Sequence, residues 1–126
     1  MYNEISMKAE DGSQIDVPFL ANAATPFRFK ALFGQDLLVL FQTCETNGIY
    51  DVNFVSQLAF TMAMQAKAKS GAVDMSTINK EEMLSWLEQF DGFTMYDKAK
   101  EILEVYLGNT GITSKEKKKA RKQNVK

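Results

Sequence analysis

Apolar and polar residues alternate near the start of the chain. Ile5, Met7 and Ala9 have polar neighbours, and the same period of two returns in QIDVPF, residues 14–19, after an Asp-Gly pair. Alternation is typical of a strand with one buried face, and Asp-Gly tolerates the positive φ of a tight turn. These residues therefore predict a β-hairpin. Because Pro18 has no backbone N–H, its strand must lie at an edge or end there.

Later segments repeat their apolar residues every three or four positions, which is typical of helices. Each predicted start carries a capping side chain, and Gly34, Asn47-Gly48 and Gly71 mark predicted ends. The predicted helices are FRFKALF after Thr25-Pro26, LLVLFQTCE after Asp36, VNFVSQLAFTMAMQAKAK after Asp51, KEEMLSWLEQF after Asn79 in a capping box with Glu82, and roughly residues 94–107 after Asp91-Gly92.

The pattern predicts an α+β fold, mostly α, in which an N-terminal β-hairpin packs on about five helices. The folded domain should cover residues 1–111. Residues 112–126 contain almost nothing apolar, so we expect a disordered basic tail that cannot contribute to a core.

The tail carries charge opposite to that of the body. Residues 1–114 hold 8 Lys+Arg and 15 Asp+Glu, a balance of −7, whereas residues 115–126 hold 7 and 1, a balance of +6. Such a segment can bind phosphates in a salt-sensitive way, so a small nucleic-acid-associated protein is the alternative function. The tail has no aromatic residue for stacking on bases, and the acidic body repels nucleic acid, so nucleic acid is not the expected partner. The tail could instead stay solvated or fold back on the body.

The composition leaves little chemistry for catalysis. The chain has no histidine, which excludes histidine acid–base catalysis, Ser-His-Asp triads and His-bearing zinc sites. Helix capping accounts for Asp36, Asp51, Glu81 and Glu82, and no Gly-rich phosphate loop is present. Cys44 is expected to be a small core residue. We therefore predict no enzyme, no cofactor and no metal site, with a carboxylate-held divalent ion as the remaining enzymatic alternative.

Nothing in the sequence indicates a membrane protein. LLVLF is its densest apolar run, far below the roughly 18 residues that a membrane span needs. The start, MYNEISMKAEDG, lacks the basic and apolar regions of a signal peptide. We expect an intracellular, soluble protein.

The order of the segments resembles that of the tail assembly chaperones of long-tailed bacteriophages of Gram-positive hosts. The likeness runs over roughly residues 3–110. It depends on TPFRFKALFGQDLL, on QLAFTMAMQAKAK and on EEMLSWLEQFDGFTMYDKAKEILEVYLGNTG. The resemblance implies a non-enzymatic chaperone that coats the tape measure protein in the host cell cytoplasm and is absent from the mature virion. It leaves self-association open.

The resemblance also implies a longer form of the chain. In this family some ribosomes change frame near the end of the gene, and the added domain recruits tail tube subunits. Lys117–Lys119 could be encoded by an A-rich slippery sequence. Codons without such a heptamer, or no open frame downstream, would refute this hypothesis.

Methionines and aromatics are the candidates for partner binding, because flexible thioethers adapt to apolar helices. The alternative is that these residues form the core, as stripes at helical spacing usually do. The predicted partner-binding residues are Phe27, Arg28, Phe29, Lys30, Phe33, Met62, Met64 and Trp86.

Overall fold

The hairpin is present at the predicted place. The structure, a computed structural model, describes residues 2–47 and 51–110. Strand β1, Tyr2–Lys8, pairs antiparallel with β2, Gln14–Leu20, from Tyr2 opposite Leu20 to Lys8 opposite Gln14. Gly12 takes the positive φ of the turn, 90°. Pro18 does not end its strand, because the strand is at an edge of a two-stranded sheet.

Six α-helices and one short 3-10 helix are present among the described residues. The last predicted helix is two helices, because the backbone at Lys98 leaves the helical region with φ −102° and ψ 9°. The prediction of an α+β fold with a hairpin packed on helices is confirmed. The helices are α1 Thr25–Phe33, α2 Leu37–Asn47, α3 Val52–Lys69, the 3-10 helix Met75–Thr77, α4 Glu82–Leu87, α5 Thr94–Asp97 and α6 Ala99–Thr110.

Helix α3 is the centre of the molecule. It packs against β2 and also against α1, α4, α5 and α6. Twelve of its 18 residues are buried, including residues outside the apolar stripe that the sequence shows. Because neighbouring elements surround this helix, even its polar residues Gln65 and Thr61 are buried.

Two predicted helix caps are confirmed and two are wrong. The Asp36 carboxylate accepts a hydrogen bond from Leu38 N–H at 2.9 Å, and the Asp51 carboxylate accepts one from Asn53 N–H at 2.9 Å. Ala24, not Thr25, is the N-cap of α1, because the Thr25 hydroxyl instead accepts hydrogen bonds at the end of the hairpin.

The second wrong cap is at α4, whose N-cap is Glu81 rather than Asn79. The Glu82 carboxylate still accepts a hydrogen bond from Asn79 N–H at 3.4 Å, which is one half of the predicted capping box. The helix therefore begins later than the sequence pattern indicates.

The segment between α4 and α5 continues the hairpin. Ala9 forms an antiparallel bridge with Phe90, and Asp91 N–H donates to the Lys8 carbonyl at 3.0 Å. Lys8 N–H donates to the buried Thr94 hydroxyl at 3.1 Å. Hydrogen bonds thus join the end of β1 to residues 90–94.

Some predictions concern residues outside the described ranges. These are the helix end at Gly48, the domain end at Gly111, the tail 112–126 and the lysine run Lys117–Lys119. Among the helices that the structure describes, none is long and apolar enough to cross a membrane.

Candidate partner-binding surface

The first two phenylalanines of helix α1, Phe27 and Phe29, lie on opposite sides of the helix. Phe29 is 0% exposed, whereas Phe27 is 77% exposed. Residues two apart on a helix are rotated by about 200°, so one faces α3 and the other faces away from it. Phe33 is half-buried and its ring centroid lies 5.3 Å from that of Phe29. Of the three predicted phenylalanines, only Phe27 is well exposed to a partner.

Met62, Met64 and Trp86 are core residues. All three are buried, and the methionines lie on the central helix α3. Trp86 packs edge-on against two phenylalanines, with ring centroids 5.8 Å from Phe60 and 5.0 Å from Phe90. In the structure these three residues form part of the core, which is the alternative that the sequence left open. A partner could contact them only after the core had opened.

A groove lies where α1 meets the start of α2. It has a volume of about 490 Å³. Phe27 and Lys30 line it, and they belong to the predicted set. Pro26 and Ala31 complete the α1 side, whereas Asp36 and Leu37 form the α2 side. We call these six residues the α1–α2 groove.

The apolar surface continues along α2. Leu38 and Val39, the two residues after Leu37, are both exposed. The sequence prediction missed them, although the run LLVLF carries the signal. Five consecutive apolar residues extend around a whole helix, so some of them must face outward unless the helix is enclosed.

A buried polar network fixes the start of α1. The Gln65 amide Nε2 donates to the Leu20 carbonyl at 2.7 Å and to the Thr25 hydroxyl at 2.9 Å. Its Oε1 accepts from Arg28 Nη1 at 3.3 Å. The Thr25 hydroxyl also accepts from Asn22 N–H at 2.9 Å. The network joins β2, α1 and α3, and it directs the predicted partner-binding residue Arg28 inward.

Aromatic contacts fix α2. The Phe41 ring stacks on Tyr106 of α6 with centroids 5.6 Å apart, and it packs edge-on against Phe54 of α3 at 5.1 Å. Burial raises the pKa of the Tyr106 hydroxyl, and the negative charge of Asp36 raises it further. Helix α2, which forms one side of the groove, is therefore held against α3 and α6 by the rings of Phe41, Phe54 and Tyr106.

A second exposed apolar surface lies at α5. Phe93 and Tyr96 are 65% and 57% exposed, and their rings stack with centroids 5.7 Å apart. Tyr96 borders a hollow of about 230 Å³ whose apolar lining comes mainly from Val52, Leu87, Phe90 and Met95. Tyr96 lies within the last predicted helix, roughly residues 94–107, but its side chain is exposed.

The described residues hold no group of three or more Cys, Asp or Glu side chains placed to bind a metal ion. Asp11 and Asp74 have a lowered pKa because each carboxylate accepts hydrogen bonds from a nearby serine, Ser13 and Ser76 respectively. Each of these hydrogen bonds joins residues two positions apart in an exposed turn, so the lowered pKa values reflect local turn geometry. Cys44 is buried, as predicted.

Comparisons with known proteins add no relative to this picture. No protein family model, no curated protein and no solved structure matches the chain.

Proposed function

We propose that this chain is a non-enzymatic chaperone of phage tail assembly that covers apolar helical segments of the tape measure protein. The proposal joins the resemblance in the sequence to one observation in particular. A groove of about 490 Å³ has a phenylalanine that is 77% exposed at its wall. The volume lies within the range of binding pockets, roughly 300–1,000 Å³.

The composition of the groove suits an amphipathic helix as the partner. Phe27 and Ala31 provide exposed apolar contacts beside the buried Leu37. Lys30 and Asp36 provide one charge of each sign. An amphipathic helix binds such a groove through apolar residues three and four positions apart, and its charged residues can pair at the edge. Leu38 and Val39 would extend the contact along α2.

Binding of many copies would explain how a modest site can act on a long chain. A tape measure protein with exposed apolar helices would aggregate, and each bound chain would cover one segment. Several weak contacts along one chain act together when they are linked. The net charge of −7 on residues 1–114 would keep the coated complex soluble. A longer frameshifted form would recruit tail tube subunits.

Co-expression with the tape measure protein of the same phage tests the proposal. The chain should move the tape measure protein into the soluble fraction and co-purify with it. Phe27→Asp should weaken binding at least about thirtyfold, because a central aromatic anchor contributes roughly 2 kcal/mol or more. Phe93→Asp is the matched control, since Phe93 is also exposed but lies just before α5, away from the groove residues.

Two results would count against the proposal. If the tape measure protein stays insoluble with the wild-type chain, the chaperone function is wrong. If Phe93→Asp abolishes binding and Phe27→Asp does not, the groove is the wrong site.

A further inference from the structure

The exposed side of α5 and α6 combines two aromatic rings with acidic residues. Phe93 and Tyr96 stack on one another, and Asp97, Glu101 and Glu104 are exposed in the following positions. We call these five residues the α5–α6 face.

The spacing brings the two carboxylates of α6 onto one side. Glu101 and Glu104 are three residues apart on α6, so they are neighbours on its surface. Asp97 ends α5, four positions before Glu101. Lys98 lies 3.6 Å from Glu101 and Lys100 is exposed nearby, and these two cations offset part of the negative charge.

We infer that the α5–α6 face binds the basic segment Lys115–Lys126 of the same chain. The first argument is charge. The segment has a balance of +6 and the preceding 114 residues have a balance of −7. Exposed aromatic rings attract lysine and arginine through the ring face, which adds to the attraction of the carboxylates. Tyr96 and Asp91 border a hollow of about 230 Å³, which can take the apolar part of one such side chain.

The second argument is reach. Helix α6 has 12 residues and is therefore about 18 Å long. The nine residues from Gly111 to Lys119 can span about 30 Å when extended. A chain that turns back at the end of α6 can therefore bring Lys117–Lys119 to Tyr96 and Phe93.

Binding of this segment within the chain has a consequence for nucleic acid. Cations that pair with Asp97, Glu101 and Glu104 are not available for phosphates. The alternative function predicted from the tail would then require the segment to leave the α5–α6 face first. The inference does not depend on the proposed function, because it involves no tape measure protein.

A photo-crosslinker placed on each apolar surface tests the inference. The full chain carries p-benzoylphenylalanine in place of Phe93, or in place of Phe27 as the matched control. After illumination, intact mass separates linked dimers from monomers. Endoproteinase Glu-C cleaves after Glu116 and keeps residues 117–126 as one peptide for identification.

We expect crosslinks within one chain between position 93 and residues 117–126, with at least about five times the yield from position 27. The triple variant Asp97→Asn, Glu101→Gln, Glu104→Gln should lower that yield about fivefold or more, since one exposed ion pair alone contributes up to about a fivefold factor. These exposed substitutions should leave the fold intact, which circular dichroism checks. Raising the salt from 0.1 M to 1 M should also lower the crosslink yield from position 93, because it shortens the screening length from about 10 Å to about 3 Å.

Three results would overturn the inference. They are equal or absent tail crosslinks from positions 93 and 27, crosslinks that join two chains only, and a yield that does not change in the triple variant. None of them bears on tape measure binding at the α1–α2 groove.

Discussion

Replacing Gln65 with methionine would remove the central donor of the network that holds the start of α1. Methionine has nearly the same length and volume, so the substitution deletes hydrogen bonds with little change in packing. Two acceptors lose a partner, the Leu20 carbonyl at 2.7 Å and the Thr25 hydroxyl at 2.9 Å. Arg28 loses its contact with Oε1 but is half-buried and can reach water.

The expected loss is about 2 kcal/mol in the free energy of unfolding. A buried acceptor without a partner costs about 1–3 kcal/mol. The Leu20 carbonyl carries most of this cost, because the Thr25 hydroxyl keeps its hydrogen bond from Asn22 N–H. A loss of this size is a large part of the roughly 5–15 kcal/mol that stabilises a small domain.

Urea unfolding measures this loss. The chain has one tryptophan, Trp86, which is buried between Phe60 and Phe90 and so reports on the core by fluorescence. With a slope of about 1–2 kcal/mol per M, the midpoint should fall by about 1–2 M. Gln57→Met on the same helix is the control and should stay within about 0.5 kcal/mol of wild type.

A double-mutant cycle with Thr25→Val tests whether the network acts as a unit. Residues that share hydrogen bonds couple by about 0.5–3 kcal/mol. A loss below 0.5 kcal/mol for Gln65→Met, or additive effects of the two substitutions, would refute the structural role given to Gln65.

Three further predictions concern the core, the aromatic cluster and the end of α1. Phe29→Ala should cost about 3–5 kcal/mol in urea unfolding, whereas Phe27→Ala should stay within about 0.5 kcal/mol; equal effects would contradict their assignment to core and surface. Because burial raises the pKa of Tyr106, its contribution to stability is complete below about pH 10 and is lost as the pH rises through the folded-state pKa. Between pH 9 and 11 the free energy of unfolding of Tyr106→Phe should therefore fall less steeply than that of wild type. Equal slopes for the two proteins would be contrary evidence. Gly34→Ala should lower stability by about 1–2 kcal/mol, since Gly34 ends α1 with a φ of +72°; Gly92→Ala, at a position without positive φ, should have little effect, and comparable losses would argue against this cap.

The features that local sequence determines were predictable. Alternation predicted the hairpin, because a period of two can bury one face only. Asp36 and Asp51 were predictable as caps, since a cap depends on residues two or three positions away. The start of α1 was not, because the Thr25 hydroxyl bonds to Asn22 and Gln65, and Gln65 is forty residues away.

The candidate site was predictable in part, because exposure depends on packing between distant elements. Phe27 and Phe29 are equally apolar, and only the position of α3 decides which of them faces solvent. Met62 and Met64 lie on a helix that other elements enclose, so these predicted partner-binding residues are part of the core. The break between α5 and α6 at Lys98 could not be predicted either, because no glycine or proline marks it in the sequence.

Hydrogen–deuterium exchange of the full chain, alone and with the tape measure protein, tests the central proposal most directly. Contact at the α1–α2 groove should slow exchange in Thr25–Phe33 and in the first turns of α2. Exchange in α4 and α5 should change little. Protection confined to α4 and α5, or no protection anywhere in the presence of excess tape measure protein, would contradict the account.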